Sequence, residues 1–270
     1  MSRLIRLIND SDKTQLQLIA TNMHLSPRFG NTYQEIEADG IIIDKKVPII
    51  DDNAPDTAVE TLHSMSRALS GFAEAYAELK PDLIVVLGDR YEILAAATAA
   101  LIERIPVAHL HGGEITEGAY DDAIRHSITK MSHLHFTSTE EYRKRVIQLG
   151  EQPEIVFNVG ALGVENIKKL PLMSKEEIEK EIDFKIDGNT ILVTYHPVTL
   201  GNRTAKEDID DFIAALEERK DLRVIFTMPN SDTGGQFIVD AINGFVTRNA
   251  DRAKAYKSLG VLRYLSVMKQ

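Results

Sequence analysis

The chain has 270 residues, with 31 Lys and Arg against 41 Asp and Glu for a formal charge of −10, and it contains no cysteine. The acidic balance argues against a nucleic-acid partner, and the missing cysteines exclude a disulfide scaffold, a thiolate nucleophile and a cysteine zinc site. No apolar run approaches the roughly 18 residues that span a bilayer. The charged N-terminus does not resemble a secretory signal. We therefore expect a cytoplasmic protein without membrane contact, since a cysteine-free chain suits a reducing compartment.

Short β-branched runs alternate with longer amphipathic stretches along the chain, after an opening segment with the pattern of an amphipathic helix. Such alternation predicts α/β architecture with parallel sheets and right-handed crossovers. Strands are predicted at 15–21, 82–87, 106–111, 135–139, 155–159, 190–195 and 222–228. Helices are predicted at 57–79, 91–104, 122–132, 140–149, 175–182, 206–218 and 234–241.

A change in composition near residues 160–189 indicates a domain boundary. A Gly-Ala-Leu-Gly segment at 160–163 precedes a charged stretch, and the strand pattern restarts at Thr190. At about 150 residues per domain, the length also favours two domains. We predict an N-terminal Rossmann-like domain at 1–163 and a C-terminal Rossmann-like nucleotide-binding domain at 164–270. The second domain looks incomplete, because the helical pattern at 262–270 has no cap.

The first polar segment follows the predicted strand 82–87. Gly88 permits close backbone approach, and Asp89 can act as an acid, a base or a ligand. Ligands of open α/β sheets bind at the carboxyl ends of the strands, where this turn is expected. The alternative is that Asp89 only caps the following helix.

The richest polar segment runs from residue 109 to residue 126. His109 and His111 share one face at the end of a predicted strand, and a double glycine separates them from Glu114. Asp121 and Asp122 mark the start of the next helix, which carries Arg125 and His126. A zinc site is one interpretation, although no HExxH-like spacing occurs. Helix capping by an aspartate is another, and we favour a functional role for Glu114 and Asp121.

Three weaker segments follow other predicted strands. Pro197 ends the strand 190–195 and leaves His196 near the expected inter-domain cleft. Asn230 and Asp232 lie in a polar turn that could contact a sugar or nucleotide, or could form an Asx turn. His24 follows the first predicted strand and could border the same cleft.

Together these segments resemble a known family. They are similar to the hydrolysing UDP-N-acetylglucosamine 2-epimerases of sialic acid biosynthesis and to their relatives that act on UDP-N,N′-diacetylbacillosamine in legionaminic acid biosynthesis. The resemblance covers essentially the whole chain, and it implies a glycosyltransferase-B-like fold with two Rossmann-like domains around a cleft. The segments that carry it are Gly-Asp-Arg-Tyr-Glu at 88–92, His-x-His-Gly-Gly-Glu at 109–114, Asp-Asp-x-Ile-Arg-His at 121–126 and Tyr-His-Pro at 195–197.

The resemblance also implies a reaction. A UDP-N-acetyl sugar would lose UDP by elimination across C1–C2, and water would then add to the glycal. The products would be UDP and the C2-inverted free sugar, which is N-acetylmannosamine when the substrate is UDP-N-acetylglucosamine. Neither a metal nor another cofactor is expected. A UDP-sugar substrate and a homodimer or higher homo-oligomer are the expected partners.

This chemistry needs a base for the C2 proton, an acid for the glycal and carboxylates near the charge that builds at C1. The resemblance does not divide these tasks, and in some relatives a Glu stands about where His111 sits. The predicted catalytic residues are Asp89, Glu114, Asp121, His111 and His196. The predicted substrate-binding residues are His24, Arg90, Arg125, His126, Asn230 and Asp232.

Two departures from the family pattern qualify this expectation. The family usually begins with a strand and a Gly-Thr-Arg turn, and it continues beyond Gln270 into a Gly-Asn-Ser-Ser turn and a helix that grips phosphates. A helix N-terminus is a natural anion site, so without it we expect weak UDP binding and weak or no activity. A glycosyltransferase of the same architecture and a non-catalytic remnant are the competing hypotheses.

Overall fold

The computed structural model describes residues 1–231 and 234–270, so the predicted contact residue Asp232 lies outside the described residues. The chain divides into two compact units. Unit 1 comprises Met1–Ala54 and Val59–Lys168, and unit 2 comprises Pro55–Ala58 and Lys169–Gln270. Both are built from parallel strands alternating with helices, as the α/β pattern predicts.

The described strands that form the sheets of unit 1 are β1 Ile19–Thr21, β2 Lys45–Val47, β3 Ile84–Leu87, β4 Val107–Leu110, β5 Leu134–Thr137 and β6 Val156–Asn158. Its helices are α1 Ser2–Asn9, α2 Tyr33–Ala38, α3 Ala58–Leu79, α4 Tyr91–Glu103, α5 Asp121–Met131, α6 Glu140–Gln148 and α7 Leu162–Lys169.

The main sheet of unit 1 has the strand order β3-β4-β5-β6, and all its pairings are parallel. Every residue of β4 is buried, as expected for a strand covered on both faces. Parallel strands bring their carboxyl ends to one edge, so the loops after β3, β4 and β5 emerge side by side. We call this the carboxyl edge of unit 1.

Helix α4 packs through small side chains. Ala95, Ala96, Ala97, Ala99 and Ala100 are all buried within the core that also holds Val86 and Val107. Because methyl groups occupy this face, the helix can approach its neighbours closely. The helix begins immediately after Arg90, so its packing also positions the turn that carries Asp89.

Unit 2 has the sheet order β7-β8-β9, with α8 Lys175–Ile182, β7 Thr190–Thr194, α9 Ala205–Glu218, β8 Arg223–Thr227, α10 Gly235–Arg248, β9 Ala253–Tyr256 and α11 Gly260–Lys269. Alternation along β8 places its side chains in two cores. Val224 and Phe226 pack with residues of α9 and α10, whereas Ile225 packs with residues of α8 and α11. The sheet is therefore covered on both faces.

The structure differs from the predicted elements mainly in short or polar segments. Strands β2 and β9 were not predicted, because both are short and carry lysines where a buried strand usually carries apolar residues. The predicted strand 15–21 shrinks to Ile19–Thr21. The predicted helix 234–241 continues to Arg248.

Replacing Phe226 with alanine should destabilise the protein strongly. Phe226 is fully buried and meets the Phe245 ring edge-on at 5.8 Å. Removing a buried aromatic side chain costs about 3–5 kcal/mol, which urea denaturation would measure. Phe237→Ala is the matched control, since Phe237 is 52% exposed and its loss should cost less than about 0.5 kcal/mol. Equal losses from both variants would contradict the described core.

Candidate active site

The carboxyl edge of unit 1 gathers polar side chains from three neighbouring loops. Asp89 follows β3, His111 and Glu114 follow β4, and Ser138 follows β5. Helix α5 contributes Arg125, whose guanidinium group contacts the loops after β3 and β4.

The guanidinium group of Arg125 is the centre of the cluster. Its side chain is 4% exposed and forms an ion pair with the carboxylate of Asp89. The same group donates hydrogen bonds to the backbone oxygen of Glu114 at 2.9 Å and to the hydroxyl of Thr116 at 2.7 Å. A buried guanidinium is stable only with such partners, because an unpaired buried charge is expensive. Arg125 therefore ties the loop after β3 to the loop after β4.

Two donors converge on one carboxylate oxygen of Glu114. The Nδ1 nitrogen of His111 lies 3.0 Å from Oε1, and the hydroxyl of Ser138 donates to the same atom at 2.8 Å. These hydrogen bonds, that of His111 first, hold the pKa of the Glu114 carboxyl below its usual range, while partial burial acts in the opposite direction. Glu114 is thus a carboxylate at neutral pH.

The backbone of His111 adopts a left-handed conformation with φ of 66°. Its Nε2 atom accepts a hydrogen bond of 3.4 Å from the backbone N–H of Leu162, the first residue of α7. Since an accepting nitrogen carries no proton, the imidazole proton lies on Nδ1, where it faces Glu114. A non-glycine residue in this region of backbone space is strained, and such strain concentrates at functional sites.

Each of the two glycines after His111 lies where a side chain would meet a different set of atoms. A Cβ at Gly112 would lie 3.1 Å from both the Nδ1 atom of His109 and the hydroxyl oxygen of Thr129. Gly113 has φ of +81°, and a Cβ there would lie within 2.4 Å of the backbone oxygen of Tyr142 in α6. Gly113 therefore needs glycine so that the loop can lie against α6, and a side chain at Gly112 would press on His109 and Thr129.

The first turn of α5 places its two aspartates differently. Asp121 is the first helical residue, and Tyr120 stands at the N-cap without a side-chain cap bond, so the predicted alternative of an aspartate cap is wrong. Asp122 Oδ1 accepts from the Thr116 N–H at 3.3 Å and lies 3.4 Å from an Arg125 nitrogen. Asp122 therefore belongs to the Arg125 network.

His126 lies one residue beyond Arg125 on α5. Its Nε2 atom is 3.6 Å from the Asp122 carboxylate, and its Nδ1 atom is buried without a hydrogen-bond partner among the described residues. The structure thus places His126 beside the aspartate of the Arg125 network.

A second polar group surrounds the start of α4. Arg90 donates from Nε to the Glu92 carboxylate at 2.9 Å, and the Glu92 side chain is only 8% exposed. His24 contacts the Thr32 hydroxyl at 2.7 Å. Desolvation lowers the pKa of His24, and the negative charges of Glu92 and Glu35 oppose that shift. His24 therefore lies within electrostatic range of the Arg90–Glu92 pair.

Unit 2 brings two other predicted residues together at the carboxyl ends of its strands. His196 follows β7 and Asn230 follows β8, and the His196 Nδ1 atom lies 3.3 Å from the side-chain oxygen of Asn230. Hydroxyl groups line the strand ends: Thr194 lies 2.5 Å from Thr227 and 3.3 Å from Tyr264, measured between oxygens.

The polar residues that the sequence analysis did not assign to the site are Thr116, Asp122, Thr129, Ser138 and His109, each in contact with a predicted site residue or its turn. Ser138 was hidden because the predicted strand 135–139 extended over it, whereas β5 ends at Thr137. Its position at a strand end was the available signal.

The described residues contain neither a membrane-spanning helix nor a cluster of metal ligands. None of their helices combines the length and the apolar character needed to cross a membrane. Within 1–231 and 234–270, no three His, Asp or Glu side chains converge as metal ligands would.

Comparison with known proteins identifies the family. The sequence profile described as UDP-N-acetylglucosamine 2-epimerase matches residues 6–270. The chain belongs to the UDP-N-acetylglucosamine 2-epimerase family. The predicted family resemblance is thereby confirmed.

Two curated members of the family show strong similarity. The GDP/UDP-N,N′-diacetylbacillosamine 2-epimerase (hydrolyzing) of Campylobacter jejuni is 46% identical over 261 residues, which cover 97% of this chain and 67% of that protein. The polysialic acid biosynthesis protein P7 of Escherichia coli is 43% identical over 244 residues, 90% of this chain and 62% of that protein. The chain thus spans about two thirds of the length of these relatives.

A solved member of the family has the same fold. The crystal structure of UDP-GlcNAc 2-epimerase from Neisseria meningitidis, bound to UDP-GlcNAc, superimposes with a TM-score of 0.74 at 18% identity, covering 99% of this chain and 71% of that one. This likeness confirms the predicted α/β, glycosyltransferase-B-like fold class.

Two glycines of this 2-epimerase family chain should respond differently to alanine. Gly88 and Gly113 have nearly equal positive φ angles of +82° and +81°, but only a Cβ at Gly113 meets other atoms. Gly88→Ala should cost about 1–2 kcal/mol for the left-handed backbone alone. Gly113→Ala should cost about 1–3 kcal/mol more, because the loop must move away from α6. Equal unfolding free energies in chemical denaturation would contradict this packing.

The lowered pKa of Glu114 predicts a pH-dependent contribution to stability. A carboxyl whose pKa is lower in the folded state stabilises the fold above its unfolded pKa of about 4.3, and this contribution disappears as the pH falls through the folded pKa. The difference in unfolding free energy between wild type and Glu114→Gln should therefore be largest near neutral pH and shrink in acid.

The control for this titration is Glu117→Gln, which removes the same charge from an exposed position in the same loop. Its effect on unfolding free energy should stay below about 0.5 kcal/mol at every pH. A Glu114→Gln difference that grew on acidification would contradict the described hydrogen bonds.

Proposed function

We propose that the protein is a hydrolysing 2-epimerase that converts a UDP-N-acetyl sugar into UDP and the C2-inverted free sugar. The observation that carries this proposal is the cluster of Asp89, Arg125, Glu114 and His111 at the carboxyl edge of unit 1. It lies in the segments shared with the family, and the C. jejuni relative is named as a hydrolysing 2-epimerase.

The first half of the reaction breaks two bonds. A base removes the C2 proton, the C1–O bond to UDP breaks, and a C1=C2 double bond forms as UDP leaves with the bonding electrons. Glu114 suits the base, because its hydrogen bonds from His111 and Ser138 keep it ionised. A base held in one position by two donors is well placed for proton transfer.

Charge develops at C1 as the bond to UDP lengthens. A carboxylate near C1 stabilises that positive charge, as in glycosidases. Asp89 suits this task, because its ion pair with the buried guanidinium of Arg125 fixes its orientation. Arg125 is then the residue that orients Asp89.

The second half of the reaction adds water to the glycal. The hydroxyl bonds to C1, and C2 receives a proton on the face opposite to the one that lost it, which inverts that carbon. A second acid on that face is required, since the base cannot serve both sides. Asp121, the first residue of α5, is the remaining carboxylate proposed for proton transfer, and His126 on the same helix is assigned to substrate binding.

The substrate-binding roles follow the charges of the remaining residues. We assign Arg90 and His24 to the anionic part of the substrate from unit 1, because both can present N–H donors near the Asp89 turn. In unit 2 we assign the departing diphosphate to His196, and sugar or nucleotide contacts to Asn230 and Asp232. The contact between His196 and Asn230 supports their acting together. No metal or cofactor enters this scheme.

Two UDP-sugars are candidate substrates of this chain. The family profile is described by UDP-N-acetylglucosamine, for which the product is N-acetylmannosamine. The C. jejuni relative is named for N,N′-diacetylbacillosamine, and the E. coli relative for polysialic acid biosynthesis. Homo-oligomerisation and a cytoplasmic location complete the proposal, and light scattering of the purified protein tests the first of these.

Proton NMR in D2O tests the reaction with each UDP-sugar in turn. The expected result is UDP together with a free sugar that is inverted and deuterated at C2, because the proton added at C2 comes from solvent. Transfer of the sugar to an acceptor without deuterium at C2 would instead identify a glycosyltransferase. No turnover of either sugar would overturn the proposal, and calorimetry with UDP would then show whether nucleotide binding remains.

Glu114→Gln in the same assay separates catalysis from binding. Loss of the base should lower kcat by about 10²–10⁴-fold, the usual contribution of a positioned acid or base. Glu117→Gln, the same substitution in the same loop, should leave kcat within about twofold, because Glu117 is exposed and has no part in the proposed proton transfers. A Glu114→Gln variant with wild-type kcat would remove Glu114 from the mechanism.

A further inference from the structure

We propose that His109 is a positioning residue that fixes the Asp89 turn by holding the backbone oxygen of Gly88. The expected effect on kinetics rests on the proposed function, whereas the contact with Gly88 rests on the geometry alone. His109 lies in the middle of β4, is fully buried, and makes no contact assigned to substrate.

The first step is the hydrogen bond at Gly88. The Nε2 atom of His109 lies 2.8 Å from the Gly88 backbone oxygen. A carbonyl oxygen only accepts, so Nε2 must carry a proton. Gly88 immediately precedes Asp89 and has φ of +82°, so this bond holds the peptide that directs the Asp89 side chain.

The second step concerns the other ring nitrogen. Nδ1 of His109 lies 3.3 Å from the hydroxyl oxygen of Thr129. Burial lowers the pKa of His109 to about 4 and the charge of Arg125 acts in the same direction, whereas the hydrogen bond to the Gly88 oxygen opposes the shift. The ring is therefore neutral at physiological pH, and Nδ1 accepts from Thr129. Only the tautomer with the proton on Nε2 satisfies both contacts.

The third step connects the ring to the partner of Asp89. Thr129 lies on α5 one turn after Arg125, and its hydroxyl oxygen is 3.1 Å from the Arg125 backbone oxygen, which shares the single hydroxyl proton with Nδ1 of His109. The helix that carries the Asp89 ion pair thus also holds His109. Through Gly88 and Arg125, the backbone and the side chain of the Asp89 turn are tied to the same helix.

Gly112 provides an independent sign that this arrangement is specific. A Cβ at that position would lie 3.1 Å from both Nδ1 of His109 and the Thr129 hydroxyl oxygen. The loop after β4 therefore lies directly against the pair and leaves little room for a side chain at position 112. An apolar residue at 109 would fill the same space without holding Gly88.

Kinetics of three variants test the positioning role. His109→Leu should lower kcat about 100-fold, as a misplacement of about 1 Å does, while KM stays within about threefold. His109→Gln should restore most of the loss, because its amide N–H reaches about as far as Nε2. His135→Leu is the matched control, a buried histidine on the adjacent strand that faces Glu151 and should leave kcat unchanged.

NMR of the protein without substrate tests the geometry independently of turnover. Long-range ¹H–¹⁵N spectra should show His109 protonated at Nε2, with no titration between about pH 5.5 and pH 8, where exposed histidines titrate. The ¹³C signal of the Asp89 carboxylate should shift in His109→Leu and return toward wild type in His109→Gln. If neither UDP-sugar is turned over, the proposed function fails, and these spectra alone decide the inference.

Three results would overturn the inference. A proton on Nδ1 of His109 in the wild type would contradict the bond to Gly88. An unchanged Asp89 signal in a folded His109→Leu variant would show that the turn does not depend on His109, as would wild-type kcat in that variant if the protein turns over sugar.

Discussion

Removing the Arg125 guanidinium from water is the constraint on which the carboxyl edge of unit 1 depends. A charge so deeply buried costs several kcal/mol unless acceptors surround it. Here the acceptors come from separate loops: the carboxylate of Asp89, the backbone oxygen of Glu114 and the hydroxyl of Thr116. Moving either loop away would therefore leave the buried guanidinium short of acceptors, at a large cost in free energy. The positions of the two carboxylates that matter most to the proposed chemistry follow from this requirement.

A second set of contacts holds the side chains of this edge from within the protein. His111 and Ser138 hold Glu114, while Leu162 at the start of α7 holds His111. The site is thus built from strand ends and helix starts, where backbone groups are unpaired and side chains can reach them. This arrangement explains why polar residues cluster at an edge whose underlying strands are apolar.

The sequence predicted the architecture because its apolar runs are clear. The apolar run at 83–87 and the segment 106–111 predicted strands. The polar residues at their carboxyl ends predicted a site at one edge of the sheet. The ion pair of Asp89 with Arg125 was less accessible, since 36 residues separate the two in sequence and only the packing of α5 brings them together.

Other features escaped prediction for identifiable reasons. Strand β9 carries a lysine between alanines, so its pattern lacks the apolar run of a buried strand. His109 looks like a residue of a strand end, and only the position of Gly88 shows what its ring holds. The tautomers of His109 and His111 differ because their partners differ, one a carbonyl and the other an N–H, and no periodicity records that.

The alanine face of α4 restricts the substitutions that this chain can accommodate near the site. Ala97 and Ala100 are completely buried, so any larger side chain there must push the helix away from its neighbours. The same helix begins beside Asp89, so a displacement at its far end is transmitted to the turn. The positions at which a larger side chain would disturb this edge therefore include methyl groups two and three helical turns away. A search for altered specificity should screen that hidden face together with the polar residues.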